Sequence, residues 1–221
     1  MTSPETFFYE SVEAQGEALS ELIAVALMKD VEEKGEALLV LPGGSSPRAL
    51  ITWLAQIELP WKKVQISVTD ERCVPVKSEH SNIGQIIKLF SEQGREINAA
   101  PLWDDERGVR ADARALNWPA SAIVLGMGTD GHTASLFPGG EWGQGDDMVL
   151  ETLAPFDPSR RVSFSMDVLT SAENLILLVN GDEKWDLFKR IEAGEYAGTP
   201  LEELINRMGG DLKAHVVAQG K

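Results

Sequence analysis

The chain has 221 residues, a length that suits one large α/β domain or one domain with a small lobe, and either buries an ample core. Its 43% hydrophobic and 25% charged content is ordinary for a globular protein, whereas a net charge of -15 argues against a nucleic-acid partner, which needs a basic surface. Any anion site must therefore be a local cluster of Arg and Lys working against the overall field.

Residues 11 to 34 carry Ala14, Ala18, Leu22 and Ala26 on one side with Leu19, Ile23 and Leu27 beside them, which predicts a helix closed by Gly35. Ala37 to Leu41 reads as a short apolar strand. Pro42-Gly43-Gly44-Ser45-Ser46-Pro47 then leads into a helix from about Arg48 to Gln56, because a proline near a helix start and serines before it are initiation signals. The next strand, Val64 to Thr69, runs directly into Asp70-Glu71-Arg72. Ile83, Ile86, Ile87 and Phe90 form another helical stripe, and Asp105 to Leu116 reads as a further helix. Ala122 to Leu125 is a buried strand followed by a glycine-lined turn, after which Thr133 to Leu136 reads as a helix start capped by Thr129 or Asp130. Gly139 to Asp147 reads as a surface loop or lobe junction. Arg161 to Ser165 and Leu175 to Val179 are strands, Gly181 opens a helix through about Glu192, and a last helix, Pro200 to Arg207, precedes a terminal strand around His215 to Ala218. This alternation implies a largely parallel central sheet with helices on both faces, three layers in all; the expectation is a single α/β domain over residues 1 to 221 with a small additional lobe.

A single cysteine, Cys73, leaves no intramolecular disulfide and reads as a packed thiol in a reducing cytosol. The amino terminus lacks a basic region followed by an apolar core, and no apolar run reaches bilayer length, so the expectation is a cytoplasmic protein with no membrane partner. His80, His132 and His215 have no metal-ligand spacing, so neither a metal nor a cofactor is expected; His215, in an apolar strand, reads as structural.

The chemistry concentrates in three places. Gly126 to Pro138 puts His132 and Asp130 inside a flexible turn at the carboxyl end of a strand, where open α/β sheets bind ligands; the plain alternative is a tight turn with a solvated histidine. Pro42 to Pro47 has the outline of a phosphate loop, with glycines at a strand end and free N–H groups at a helix start, or is simply a capping turn. It lacks the Gly-Lys-Ser/Thr ending of nucleotide-triphosphate loops and cannot be read as Gly-x-Ser-x-Gly. Asp70-Glu71-Arg72 is a charged run at a strand end. Arg160, Arg161 and Lys184 are the cations available in the second half.

Five segments in register resemble the 6-phosphogluconolactonase family, within the wider sugar-phosphate isomerase and deaminase fold. They are Leu41 to Pro47, Thr69 to Pro75 with Ser81-Asn82, Gly126 to Pro138, Arg161 to Ser163 and Gly181 to Lys184. The glucosamine-6-phosphate deaminase pattern would have tyrosine at Arg72 and an Asn-Glu-Pro-Gly run after the histidine; this chain continues Ser135-Leu136-Phe137-Pro138 instead. Ser46 and Ser163 stand where the family commonly has threonine, and the segment after Glu192 matches only loosely, so no function is carried onto it.

The resemblance implies hydrolysis of 6-phospho-D-glucono-1,5-lactone without a cofactor. His132 would move the protons, Asp130 would orient the ring or the water, and Asp70 would contact sugar hydroxyls or assist the base. Arg161, Lys184 and the loop Gly43, Gly44, Ser45 and Ser46 would clamp the phosphate, and Arg72 would face the sugar or its oxyanion. The partner implied is a small sugar phosphate bound by a monomer or small homo-oligomer. A deaminase or isomerase on the same fold, and a non-catalytic sugar-phosphate binding module, are the competing readings.

Overall fold

A computed structural model describes residues 3–143 and 146–219 of the chain. In chain order the first half contains β1 (Glu5–Phe8), α1 (Val12–Lys34), β2 (Ala37–Leu41), α2 (Arg48–Gln56), β3 (Val64–Val68), β4 (Asp70–Arg72) and α3 (Asn82–Glu92). Four short strands follow, β5 (Asn98–Ala99), β6 (Trp103–Asp104), β7 (Val109–Arg110) and β8 (Ala122–Gly126). The second half contains β9 (Val149–Leu153), β10 (Arg160–Phe164), α4 (Met166–Leu169), β11 (Leu175–Asn180), α5 (Asp182–Glu192), α6 (Pro200–Met208) and β12 (Lys213–Val217).

Seven strands make one sheet in the order β1-β12-β11-β8-β2-β3-β5, and every neighbouring pair is parallel. Ala-Leu-Leu-Val-Leu of β2 is buried throughout, as are Ala122 to Leu125 of β8 and Leu175 to Val179 of β11. Continuous apolar runs of this kind belong to strands covered on both faces. The path from β2 through α2 to β3 steps one way along the sheet, and the path from β11 through α5 and α6 to β12 steps the other. Crossovers of one hand then place α1, α2 and α3 on one face and α5 and α6 on the opposite one. The direction of winding reverses between the paired strands β2 and β8, and the crevice at their carboxyl ends is where such sheets hold ligands.

The α1 helix starts at Ser11, whose hydroxyl accepts from the Ala14 N–H, and ends at Gly35 in a left-handed conformation, φ 87°. Its buried stripe runs through Gln15, Leu19, Ile23, Leu27 and Val31, which leaves Ala18 and Leu22, expected on the apolar face, exposed. Gly16 lets α2 approach closely, since a Cβ there would lie 2.8 Å from the Leu50 nitrogen.

A three-stranded antiparallel sheet, β4-β10-β9, and the β6-β7 hairpin form the expected small lobe. Asp105 to Leu116 is therefore not a helix: Gly108 turns the hairpin at φ 65°, Asp104 Oδ1 accepts from the Arg107 N–H, and only Ala113–Ala115 makes a short 3-10 turn. Thr133 to Leu136 is not a helix start either. Ala134 adopts φ 49°, Thr133 and Leu136 bridge across it, and Asp130 caps no helix. The strands β1, β5 and β9 were not expected from the sequence, and β10 begins one residue earlier than the predicted Arg161 start. Of the predicted loop Gly139 to Asp147, residues 144 and 145 lie outside the described residues.

Candidate active site

The turn after β8 is closed by its own backbone: the Gly128 N–H donates to the His132 carbonyl at 2.9 Å and the Gly131 N–H to the Gly128 carbonyl at 3.2 Å. The Thr133 hydroxyl ties its far end to the Gly126 carbonyl at 2.8 Å. Inside it, Asp130 Oδ1 accepts from the His132 backbone N–H at 3.1 Å and lies 2.5 Å from the imidazole Nδ1. A carboxylate can only accept, so Nδ1 carries the proton and the Nε2 lone pair is the basic one. His132 lines a cavity of about 270 Å³, with Asp130 behind the ring.

The opposite wall comes from β4, where the chain leaves the parallel sheet. Asp70 is 7% exposed and its two oxygens accept from the Thr69 hydroxyl at 3.1 Å and the Ser135 hydroxyl at 2.6 Å. Glu71 is buried beside it and does not line the cavity. Its carboxylate takes the Asn82 and Ile83 N–H groups at the start of α3, the Ser81 hydroxyl and the Arg72 N–H, at 2.7 to 3.0 Å. Burial pushes its pKa up, and these donors oppose that shift. Glu71 thus locks Arg72 and Asn82 in place, and both face the cavity. The Asn82 amide donates to the Asp70 carbonyl at 2.8 Å and fills the space a side chain on Gly43 would need, 1.9 Å from a Cβ built there.

Among the described residues, three cations reach the same cavity from three elements, against one lining carboxylate, Asp70. Arg72 and Arg161 are partners in register across β4 and β10. Arg72 donates to the His80 carbonyl and Arg161 to the Pro158 carbonyl, both at 2.6 Å, so each is oriented by a neutral oxygen. Burial, and after it the nearby Arg72, pushes the Arg161 pKa down. Lys184, in the first turn of α5, reaches the Ser46 hydroxyl at 3.5 Å, and burial pushes its pKa down as well. Cations held close together and partly desolvated without an ion pair gain most from an anion placed between them.

Every residue proposed from the sequence as substrate-binding, Gly43, Gly44, Ser45, Ser46, Arg72, Arg161 and Lys184, lines this cavity, together with His132 and Asp70. Sequence reasoning gave no role to Asn82, Ser135, Phe137 and Phe156, which line it too. Phe137 packs against the His132 ring at 4.9 Å between centroids, and Phe156 lies under the Arg161 guanidinium at 5.4 Å. Ser81 caps α3, a signal that could have placed Asn82 at a helix start, whereas Phe156 sits in the turn between β9 and β10 with no local signal. Cys73 has a raised pKa, from burial, as expected of a packed thiol. Among the described residues no group of three or more His, Cys, Asp or Glu side chains could hold a metal ion, and no helix is long and apolar enough to cross a membrane.

Residues 10–209 match the family model described as glucosamine-6-phosphate isomerases/6-phosphogluconolactonase. The chain is 30% identical to a 6-phosphogluconolactonase of Rhizobium meliloti (strain 1021), over 96% of this chain and 98% of the relative. It is 35% identical to one from Pseudomonas putida, over 78% of this chain and 76% of that protein. A crystal structure of 6-phosphogluconolactonase from Thermotoga maritima superposes with a TM-score of 0.79 at 26% identity, covering 98% of this chain and 100% of the other. The chain belongs to the glucosamine-6-phosphate isomerase/6-phosphogluconolactonase family.

Proposed function

We propose that the protein hydrolyses 6-phospho-D-glucono-1,5-lactone to 6-phospho-D-gluconate, the second step of the oxidative pentose phosphate pathway. The observation that carries this reading is the convergence of Arg72, Arg161 and Lys184 with one oriented imidazole on a single cavity, in a chain whose net charge is -15. A cavity of about 270 Å³ is on the scale of one small metabolite.

His132 Nε2 takes a proton from water as its oxygen attacks the lactone carbonyl, and Asp130 stabilises the imidazolium that forms. The tetrahedral intermediate collapses by breaking the bond from the carbonyl carbon to the ring oxygen, and the imidazolium returns its proton to that oxygen. Water supplies one oxygen and two hydrogens, and no covalent enzyme intermediate is needed. Asp70 accepts from a sugar hydroxyl, since each of its oxygens has spare acceptor capacity. Arg161, Lys184 and the Gly43 to Ser46 loop hold the phosphate, and Arg72 faces the sugar or the developing oxyanion. Binding at the phosphate end fixes the carbonyl over the imidazole, turning remote contacts into rate.

The test is acid release from freshly made phosphogluconolactone, with the spontaneous opening rate subtracted. Ammonia release from glucosamine 6-phosphate instead would replace this reading with the deaminase reaction. Against that outcome, the residues after His132 supply no second carboxylate, and Asp70 is the one carboxylate lining the cavity among the described residues. Binding of 6-phosphogluconate without turnover would indicate a sensor. On this reading the protein acts as a single domain, a monomer or small homo-oligomer, on a sugar phosphate in the cytoplasm.

A further inference from the structure

The carboxyl-terminal helix α6 lines no part of the cavity, yet its start is fastened to the catalytic turn. The Leu201 N–H donates to the Gly131 carbonyl at 3.1 Å. Gly131, at φ 81°, faces Thr199 so closely that a Cβ on it would lie 2.8 Å from the threonine Cγ2 and 2.9 Å from its Cβ. Thr199 is 2% exposed, and Pro200 and Leu201 after it are buried. Gly131 immediately precedes His132, and its carbonyl faces out of the turn's own hydrogen bonds to meet α6.

The two ends of the Thr199 side chain do different things. Its Oγ1 accepts from the Glu202 N–H at 3.1 Å and caps α6. Its methyl is the atom nearest a Cβ built on Gly131, at 2.8 Å, with Oγ1 further off at 3.2 Å. The α6 helix packs on α5, whose first turn carries Lys184, so one helical pair borders both the phosphate-binding end of the cavity and the turn that holds the imidazole.

We propose that Thr199 is a positioning residue for His132: its methyl group, together with the Leu201 N–H, holds Gly131 and thereby sets the direction of the imidazole. Thr199 touches neither substrate nor the reacting atoms. The inference rests on the reading of His132 as the general base. Misplacement of a catalytic group by about 1 Å costs up to roughly a hundredfold in rate, so a support lost at this contact is visible in turnover.

Two substitutions separate the methyl from the hydroxyl. Thr199→Ser keeps the cap and removes the methyl; the expected result is a kcat lowered roughly tenfold, with KM and inhibition by inorganic phosphate unchanged and the unfolding midpoint lowered only by the small cost of one buried methyl. Thr199→Val keeps a methyl against Gly131 and removes the cap. It should lower the unfolding midpoint while kcat stays within about twofold of the parent. Loss of kcat in the valine variant with full activity in the serine variant, or equal effects in both, would overturn the proposal. His132→Asn is assayed alongside: undiminished turnover there removes the base and the inference with it, whereas its loss leaves the two threonine variants to decide the positioning role alone.

Discussion

The imidazole of His132 occupies the space that a side chain on Gly128 would need. A Cβ at Gly128 would stand 2.2 Å from both Nδ1 and Cε1 of the ring and 2.7 Å from Asp130 Oδ1. Gly128→Ala should therefore push the ring away from its carboxylate without touching any cation. The expected result is a kcat lower by roughly a hundredfold, close to that of His132→Asn, with KM little changed, since general base catalysis typically contributes at least that factor. An alanine variant with parental kcat would show that the ring needs no support from this side.

Lys184 and Arg161 approach the cavity from different elements, α5 and β10, and each is desolvated. A charge-assisted hydrogen bond to phosphate contributes about 1.5 to 3 kcal/mol, or roughly ten- to a hundredfold in affinity. Lys184→Ala and Arg161→Ala should each raise KM for the phosphorylated lactone by about that factor and weaken inhibition by inorganic phosphate in parallel. A variant with altered kcat and unchanged phosphate inhibition would move its residue from the phosphate end to the reacting end.

Glu71 offers a test of the scaffold apart from the chemistry. Four donors converge on its buried carboxylate, and an amide nitrogen put in place of one oxygen would confront at least one of them. Glu71→Gln should cost about 2 kcal/mol of stability, the usual penalty for an unmatched buried polar group. Because Arg72 and Asn82 are fixed through Glu71, KM should rise with it. Chemical denaturation and steady-state kinetics on the same preparation check both outcomes, and an unchanged unfolding free energy would assign the start of α3 to other contacts.

The strands that frame the site were legible because parallel strands covered on both faces must be apolar throughout, as Ala37 to Leu41 and Leu175 to Val179 are. The turn proposed as catalytic was legible because glycines cluster there around a histidine and a carboxylate: Gly131 takes φ 81° and Gly128 leaves room for the imidazole. The edge strand β1 was not, since Glu5 to Phe8 is mostly exposed and shows no apolar alternation, and β5 pairs over only two residues. Thr133 to Leu136 misled because Ala134, a good helix former, is forced to φ 49° by contacts distant in sequence. Among these contacts is Ser135, bonded to Asp70 and to the Ser163 hydroxyl. Thr199 and Phe156 reach the site only through the packing of whole elements, which no local pattern encodes.

His215 was expected to be structural, and its surroundings make it a pH-dependent one. The ring stacks with Phe7 and with Tyr9, centroids 5.0 and 5.7 Å away, and its Nδ1 is 2.8 Å from the Tyr9 hydroxyl. Nε2 is buried without a hydrogen-bond partner among the described residues, so a second proton there would be unsolvated. Burial, aided by Lys213, lowers its pKa from 6.5 to about 4. The folded form thus binds fewer protons than the unfolded form between these values. The stabilisation from keeping the ring neutral is complete above about pH 6.5 and is lost as the pH falls towards 4. Its full size is about 3 kcal/mol, from the shift at 1.36 kcal/mol per pKa unit. Since Phe7 pairs with His215 in the register of β1 and β12, acid should loosen β1 first. Urea unfolding of the parent and of His215→Leu at pH 7.5 and pH 5 measures this: the parent should lose stability on acidification by more than the variant does, and parallel losses would place the pH sensitivity elsewhere in the chain.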